Sequence, residues 1–98
     1  MNKYILSNKA EEDISVIYDY SANTNGVTQA GAYLVALHEA LVILTETPSV
    51  GTSAQDIRKN YLQFPVHRHM VFYRKVDDGI FVSRVLHQQM KFSMHLSG

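Results

Sequence analysis

The chain has 98 residues, 46% of them hydrophobic, and it contains no cysteine. A chain of this length folds as a single domain, so we expect residues 1–98 to form one. The lack of cysteine excludes a disulfide framework and a thiolate zinc site. The N-terminus becomes polar too soon for a signal peptide, and no run of about 18 apolar residues predicts a membrane span. We therefore expect a cytoplasmic protein that does not bind membranes.

Nine basic and nine acidic residues give a formal net charge of zero, but they are unevenly placed. Residues 1–56 carry two basic and seven acidic residues, whereas residues 57–98 carry seven basic and two acidic ones. A polarised surface of this kind can orient a charged partner during its approach. The alternative is that solvated helix faces are acidic and strand ends are basic without any functional reason.

The first half of the chain predicts a strand followed by two helices. Tyr4-Ile5-Leu6 is typical of a short strand, and Ser7 is a favourable N-cap for the helix after it. Apolar residues recur at helical spacing from Ala10, until the polar run before Gly26 interrupts them. A second helix begins near Thr28 and carries one continuous leucine stripe. Consecutive helices with a short connection form an antiparallel hairpin.

The second half predicts three strands at residues 61–64, 69–76 and 80–86. Asp78-Gly79 lies between the last two, and Asp-Gly is a strong signal for a two-residue hairpin turn. The element order is therefore β-α-α-β-β-β. It indicates an α+β domain in which a helical hairpin packs on a small, mostly antiparallel sheet.

The hairpin turn sets which side chains share a face of the sheet. With Asp78-Gly79 as the loop, Tyr73 pairs with Arg84, and the face that holds Phe72 is expected to receive the helices. The other face is both apolar and basic, with Val71, Tyr73, Lys75, Val82, Arg84 and Leu86. Only the segment 90–96 could cover that face from within the chain. An uncovered face of this composition indicates contact with another polypeptide or a nucleic acid, and cover by the tail is the alternative.

The sequence does not predict a metal centre, a cofactor or a catalytic site. His67 and His69 point the same way on a strand, but zinc needs three or four ligands and no neighbouring carboxylate completes the set. We interpret them as loop and hydrogen-bonding residues. Neither a nucleophile elbow nor a glycine-rich phosphate loop is present. RNA cleavage stays open, with His69 or His87 transferring protons and two arginines stabilising the phosphate.

In their order and spacing, these segments resemble the ParE toxins of bacterial toxin–antitoxin modules, within the RelE/ParE superfamily. The opening strand and helix carry Tyr4-x-Leu6-Ser7 and Ala10-x-x-Asp13-Ile14. The hairpin carries the most specific motifs, His69-x-Val71-Phe72-Tyr73 and Arg84-Val85-Leu86-His87. The likeness covers nearly the whole chain.

Several positions depart from the family pattern. Asn60 and His67 stand where the family has glycine, and asparagine also tolerates the left-handed conformation. Leu62 replaces a common arginine, and Lys91 replaces a common aspartate. The departures at Leu62, His67 and Lys91 affect the charged end of the molecule.

The resemblance implies a non-catalytic toxin that binds and inhibits DNA gyrase and is neutralised by a ParD-like antitoxin. DNA would be met only indirectly, through the antitoxin, because a net charge of zero supplies little counterion release. The candidate partner-contact residues are Arg58, Arg68, Tyr73, Arg74, Arg84 and His87. Tyr73 and Arg84 could instead stack for stability, and Arg58 could anchor its own connection.

Two other functions remain open at this point. The runner-up is a RelE-like, ribosome-dependent mRNA endoribonuclease, which fits less well because exposed aromatic residues for base stacking are scarce near the C-terminus. The third is a degenerate toxin or a plain interaction module.

Overall fold

The structure is a computed structural model, and it describes residues 3–88. The elements are β1 (Lys3–Leu6), α1 (Asn8–Asn25), α2 (Val27–Glu46), a 3₁₀ helix (Pro48–Val50), β2 (Thr52–Ser53), β3 (Leu62–Val66), β4 (His69–Val76) and β5 (Gly79–His87). The expected element order is confirmed, with the two-residue strand β2 in addition. The segment 90–96, considered above as cover for the sheet, lies outside the described residues.

The five strands form one mixed sheet in the order β1-β5-β4-β3-β2. β1 pairs with β5 in parallel, and every other neighbouring pair is antiparallel. The first and last strands of the described chain are therefore neighbours. This arrangement confirms the α+β class and the mostly antiparallel sheet.

Local sequence signals explain where α1 begins and where the two helices separate. The hydroxyl of Ser7 accepts a hydrogen bond from the Ala10 amide at 3.0 Å and donates one to the Ser83 carbonyl at 2.7 Å. The N-cap therefore also attaches the start of α1 to β5. Gly26 has a φ of 91°, a left-handed value that suits glycine, and it separates α1 from α2.

The main core lies between the helices and one face of the sheet. Leu37, Leu41 and Leu44 of α2 pack there with Val71 and Val82 of the hairpin. By length and mean hydropathy, 1.5, α2 could cross a membrane, but core helices of soluble proteins share that property. In this fold its leucine stripe is buried against the sheet, as the periodicity predicted.

The assignment of the two hairpin faces from the sequence was wrong. Val71 and Tyr73 face the helices, whereas Phe72 and Leu86 belong to a second cluster with Ala54. That cluster forms because the connection between β2 and β3 folds over the opposite face of the sheet, where Tyr61 is also buried. Both faces of β4 are similarly apolar, so composition did not distinguish them. The connection forms a third layer, on the side of the sheet opposite the helices, that was not predicted from the sequence.

The predicted hairpin register was also wrong. Val76 pairs with Gly79, so the loop is Asp77-Asp78 and Gly79 is the first residue of β5. Gly79 has a φ of 153°, and a Cβ there would collide with the Lys3 carbonyl. The glycine therefore allows the close approach of β1 instead of forming the turn. An irregularity next to Tyr73 then places Val82, not Arg84, opposite Tyr73.

Candidate partner-binding site

The predicted contact residues occupy separate parts of the fold. Arg58 lies in the connection between β2 and β3, Arg68 lies in the β3–β4 turn, and Arg74 lies on β4. Arg84 and His87 are both on β5. Two of the predicted contact residues, Arg68 and His87, line a cleft between the helices and the β3–β4 turn. The other four predicted contact residues do not line this cleft.

This cleft, which we call the helix–turn cleft, has a volume of about 1190 Å³. It lies between α1 and α2 on one side and the β3–β4 turn with the end of β5 on the other. The residues that matter for its chemistry are Glu12, Val16, Tyr20, Tyr33, His67, Arg68, His69 and His87. The wall formed by α1 combines the exposed Val16 and Tyr20 with the acidic Glu12, and the turn contributes Arg68 between His67 and His69.

The β3–β4 turn, which forms one rim of the cleft, is held in place by Gln88. The Gln88 side-chain amide donates to the carbonyls of His67 at 2.9 Å and His69 at 3.3 Å, and its backbone amide donates to the Arg68 carbonyl at 2.9 Å. His67 has a φ of 53° and Asn60 a φ of 69°. These are the two positions where the resemblance predicted glycine, and both take up the left-handed conformation that glycine favours.

A cluster of aromatic and imidazole rings lies at the base of the rim. The Tyr33 hydroxyl is 3.0 Å from Nδ1 of His69, and the Tyr33 ring centroid is 5.5 Å from that of His67. His69 and His87 meet edge to face, with their centroids 5.4 Å apart. Burial lowers the pKa of His69, and the neighbouring His87 and His67 lower it further. Burial also raises the pKa of Tyr33 to about 12.

The hydrogen bond to Tyr33 agrees with the interpretation of His69 as a hydrogen-bonding residue. Among residues 3–88, no group of three His, Asp or Glu side chains is placed to hold a metal ion.

Arg84 is tied to α1. Its Nε and Nη2 donate to the two carboxylate oxygens of Asp13 at 2.7 and 2.8 Å, and the Val85 amide donates to the same carboxylate at 3.0 Å. The hydrogen bonds that the guanidinium donates to Asp13 raise the pKa of Arg84, although partial burial acts in the opposite direction. The predicted pairing of Arg84 with Tyr73 is corrected accordingly. The guanidinium fixes the helical hairpin to the sheet, and its side chain is only 14% exposed.

Tyr73 is fully buried in the main core, and its hydroxyl donates to the Pro48 carbonyl at 2.7 Å. Burial raises the pKa of that hydroxyl, against the opposite effect of a hydrogen bond from the Gly51 backbone. The prediction that Tyr73 contacts a partner is therefore corrected, because the residue presents no surface to one. Its ring fills space between the sheet and the end of α2.

Arg58, Arg74 and Lys75 form an exposed group that we call the outer basic patch. The Arg58 guanidinium lies 5.4 Å from the centroid of the Tyr61 ring, and the Arg74 guanidinium lies 4.9 Å from that of Phe81. Arg74, Lys75 and Tyr61 line a second cavity of about 480 Å³. Cation–π contacts of this kind restrain the arginines without removing them from solvent.

Sequence comparison identifies the family. The family model described as "ParE toxin of type II toxin-antitoxin system, parDE" matches residues 4–92. The chain belongs to the ParE toxin family. This ParE toxin is similar to Toxin ParE1 of Caulobacter vibrioides, with 35% identity over 96 residues. The match covers 98% of this chain and 99% of that protein. The chain is 34% identical over 96 residues to Toxin ParE1 of Mycobacterium tuberculosis, covering 97% and 98%.

Solved structures share the ParE fold described above. A chain from the chromosomal ParDE toxin–antitoxin system of P. aeruginosa superposes with a TM-score of 0.75 at 17% identity, covering 89% of this chain and 96% of that one. A chain from the YoeB–YefM complex of Staphylococcus aureus superposes with a TM-score of 0.58 at 16% identity, covering 90% and 98%. At these identities the likeness concerns the fold.

Sequence reasoning missed the helical wall of the cleft in this ParE toxin. Val16 and Tyr20 are 66% and 71% exposed, although both are large hydrophobic residues. They are four positions apart on α1 and therefore adjacent on its surface. The sequence signal that could have indicated this wall is that Val16 and Tyr20 form a second apolar pair on α1, away from the residues that face the core. Tyr33 was missed because it lies beside the leucine stripe of α2, and the sequence therefore indicated a core residue at that position.

Proposed function

We propose that this chain is a toxin that binds DNA gyrase in the cytoplasm, inhibits it without catalysis, and is neutralised by a cognate antitoxin. The observation that carries this proposal is the match to the ParE family over residues 4–92, with identity near one third across almost the whole chain. The resemblance of the hairpin motifs implied the same function.

Two of the candidate catalytic side chains, Arg84 and His69, already have hydrogen-bond partners within the chain, which favours a binding mechanism over RNA cleavage. Arg84, one of the two arginines considered for phosphate stabilisation along with Arg74, donates two hydrogen bonds to the Asp13 carboxylate. His69 is half-buried, its Nδ1 is engaged by Tyr33, and its lowered pKa keeps it neutral near pH 7. A general acid must carry a proton to donate, so a neutral His69 does not suit that role.

Neutralisation by an antitoxin is supported by the context of the two structural neighbours. One comes from a ParDE toxin–antitoxin system and the other from a YoeB–YefM complex. The helix–turn cleft of this chain has a volume of about 1190 Å³ and includes the exposed side chains of Val16 and Tyr20, as expected of a groove that receives a peptide segment.

A supercoiling assay with purified gyrase tests the proposal. The toxin is added to gyrase, ATP and relaxed plasmid, and covalent gyrase–DNA complexes are then trapped with detergent. We expect loss of supercoiling together with an increase in linear DNA, and both effects should be reversed by the cognate antitoxin. In a parallel translation reaction the mRNA should stay intact. Codon-linked mRNA cuts with unaffected gyrase would instead establish the endoribonuclease, and no effect in either assay would indicate a plain interaction module.

The outer basic patch provides a matched pair of variants. We expect Arg74→Gln combined with Lys75→Gln to raise the toxin concentration needed for half inhibition several-fold, because charges at an interface edge accelerate association. Lys9→Gln removes an exposed charge from α1 and should leave inhibition unchanged. Equal effects from both would argue against the patch as the gyrase contact.

A further inference from the structure

We infer that the exposed side of α2 pairs with the same surface of a second copy of this chain, in an antiparallel helix–helix contact about a two-fold axis. This inference goes beyond the proposed function, because it concerns the free toxin and requires neither gyrase nor an antitoxin. The surface, which we call the exposed α2 face, consists of Gly31, Val35, His38 and Val42.

α2 is more apolar than its packing in the core requires. It contains no lysine or arginine and only two carboxylates, Glu39 and Glu46. Its apolar window of 18 residues is only 22% buried. Val27, Val35 and Ile43 are 67%, 59% and 53% exposed. Apolar surface that a helix does not bury in its own core is typical of a contact with another macromolecule.

The exposed α2 face has the spacing of a helix–helix seam. Its members, which are four, three and four positions apart, are Gly31, Val35, His38 and Val42. Alternating intervals of three and four are those of the a and d positions of a heptad. Val42 directly follows the buried Leu41, so the exposed α2 face is rotated by about 100° from the core stripe. α2 therefore carries two seams, and the sheet uses one of them.

Gly31 indicates that another helix comes close to this face. Among the described residues, a Cβ at Gly31 would meet nothing within 4 Å, and its φ is not positive. Glycine inside a helix lowers the stability of that helix relative to alanine. The fold of a single chain therefore does not require glycine here, whereas the close approach of a second backbone does.

An antiparallel pair makes the exposed α2 face complementary to itself. When Val42 of one copy lies over Gly31 of the other, the two-fold axis repeats the same contact at the opposite end. Val42 then fills the space that the missing Gly31 side chain leaves. In this register Val35 of each copy lies against His38 of the other. The His38 ring is already positioned, because its Nδ1 lies 2.6 Å from the Tyr4 hydroxyl.

The carboxylates of α2 favour the antiparallel orientation over the parallel one. Glu39 and Glu46 are exposed and seven positions apart, so they lie along the same edge of the helix. In a parallel pair each carboxylate would lie beside its own copy, where like charges repel. In the antiparallel register the two copies of Glu39 are offset by about five residues, roughly 7.5 Å along the axis.

The same composition argues against a membrane as the occupant of this face. Helices that lie on a membrane surface carry lysine and arginine on their polar side, and these attract anionic lipids. α2 has neither residue, and its two carboxylates would be repelled.

Sedimentation velocity of the free toxin over a range of concentrations tests the inference. We expect a monomer–dimer equilibrium in the micromolar range, because a contact along one helix is small. Val35→Lys should raise the dissociation constant at least about tenfold, since two ammonium groups would be buried against apolar surface. Val16→Lys is the matched control, because Val16 is an exposed valine on α1 and should leave the constant unchanged. Circular dichroism checks that both variants are folded.

Disulfide trapping tests the orientation, because the chain contains no cysteine of its own. A mixture of Gly31→Cys and Val42→Cys chains should form a mixed disulfide, since these positions oppose each other in the antiparallel register. Val42→Cys alone should cross-link far less, because its two copies would be about 16 Å apart along the axis. Preferential cross-linking of Val42→Cys with itself would indicate a parallel pair and overturn the inference.

Three further outcomes would overturn the inference. The first is a toxin that stays monomeric at every concentration. The second is a dimer that Val35→Lys does not weaken, which would place the contact elsewhere. The third is co-sedimentation of the toxin with vesicles of anionic lipid that Val35→Lys abolishes, which would make a membrane the occupant.

Discussion

Asp13 lies on the acidic helix α1 and stabilises the tertiary structure by joining that helix to β5. Its carboxylate accepts hydrogen bonds from two nitrogens of Arg84 and from the Val85 amide. The two charged side chains are each only 14% exposed, so removal of one leaves the other poorly solvated. Three partners on one carboxylate link the helical hairpin to the end of the sheet.

We predict that Asp13→Asn lowers the free energy of unfolding by about 2 kcal/mol, because an amide cannot replace a charged acceptor for both guanidinium nitrogens. Urea denaturation measures this change. Asp19→Asn is the matched control, since Asp19 is exposed on the same helix and should change stability by less than about 0.5 kcal/mol. An Asp13→Asn chain as stable as its parent would show that the ion pair contributes little.

Tyr73 separates a structural role from a binding role. We predict that Tyr73→Phe lowers stability by about 1 kcal/mol, because the Pro48 carbonyl loses its donor. Affinity for gyrase or antitoxin should stay unchanged in the folded variant, because the residue is buried. Thermal denaturation and a binding titration check the two parts. Tyr20→Phe, at an exposed position, provides the stability control, and a selective loss of binding in Tyr73→Phe would contradict the burial argument.

At the scale of elements, the edge strand β1 depends on one glycine of its neighbour. Gly79 begins β5, and any Cβ there would meet the Lys3 backbone. The Asp-Gly pair looked like a turn because turns and close backbone approaches both favour glycine. The local sequence does not distinguish these two reasons.

We predict that Gly79→Ala destabilises the protein by more than about 2 kcal/mol, since the strained φ and the steric clash act together. Hydrogen exchange at the β1 amides should accelerate more than exchange in α2. Gly31→Ala is the control: a Cβ at that helical position meets no neighbour, so the variant should be about 0.5 kcal/mol more stable. Unchanged protection of β1 in Gly79→Ala would contradict this account.

The histidine cluster joins α2, the β3–β4 turn and β5, and it should make stability depend on pH. The folded-state pKa of His69 lies below its ordinary value of 6.5, so the unfolded chain binds more protons as pH falls. The contribution of His69 to the free energy of unfolding is therefore fully present above about pH 6.5 and is lost as the pH falls below that value. Urea denaturation across this range measures the slope. His69→Gln should flatten it, and His38→Gln, which is outside the cluster, should preserve it.

At the scale of the whole molecule, the uneven charge distribution predicts the rate of association. The exposed charges of α1 and α2 are mainly acidic, and those of the turn, β4 and the outer basic patch are mainly basic. We predict that the association rate constant with the antitoxin falls about tenfold when salt is raised, with little change in dissociation. Stopped-flow fluorescence measures both rates. A rate that is insensitive to salt would support the alternative that these charges only solvate the surface.

The sequence by itself determined the type and order of the elements, the N-cap at Ser7, the break at Gly26 and the family. These features depend on neighbours within a few positions, or on motif order, and both can be read along the chain. The tolerance of Asn60 for a left-handed conformation was predictable for the same reason.

Only the tertiary structure decided which face of the hairpin meets the helices, that Tyr73 is buried, and that Arg84 reaches Asp13 across 71 positions. Each of these outcomes depends on how distant segments align. A shift of one residue in a strand moves every following side chain to the other face. Here β1 drew Gly79 into the sheet and the β2–β3 connection covered Phe72, and neither packing event leaves a local signature in the chain.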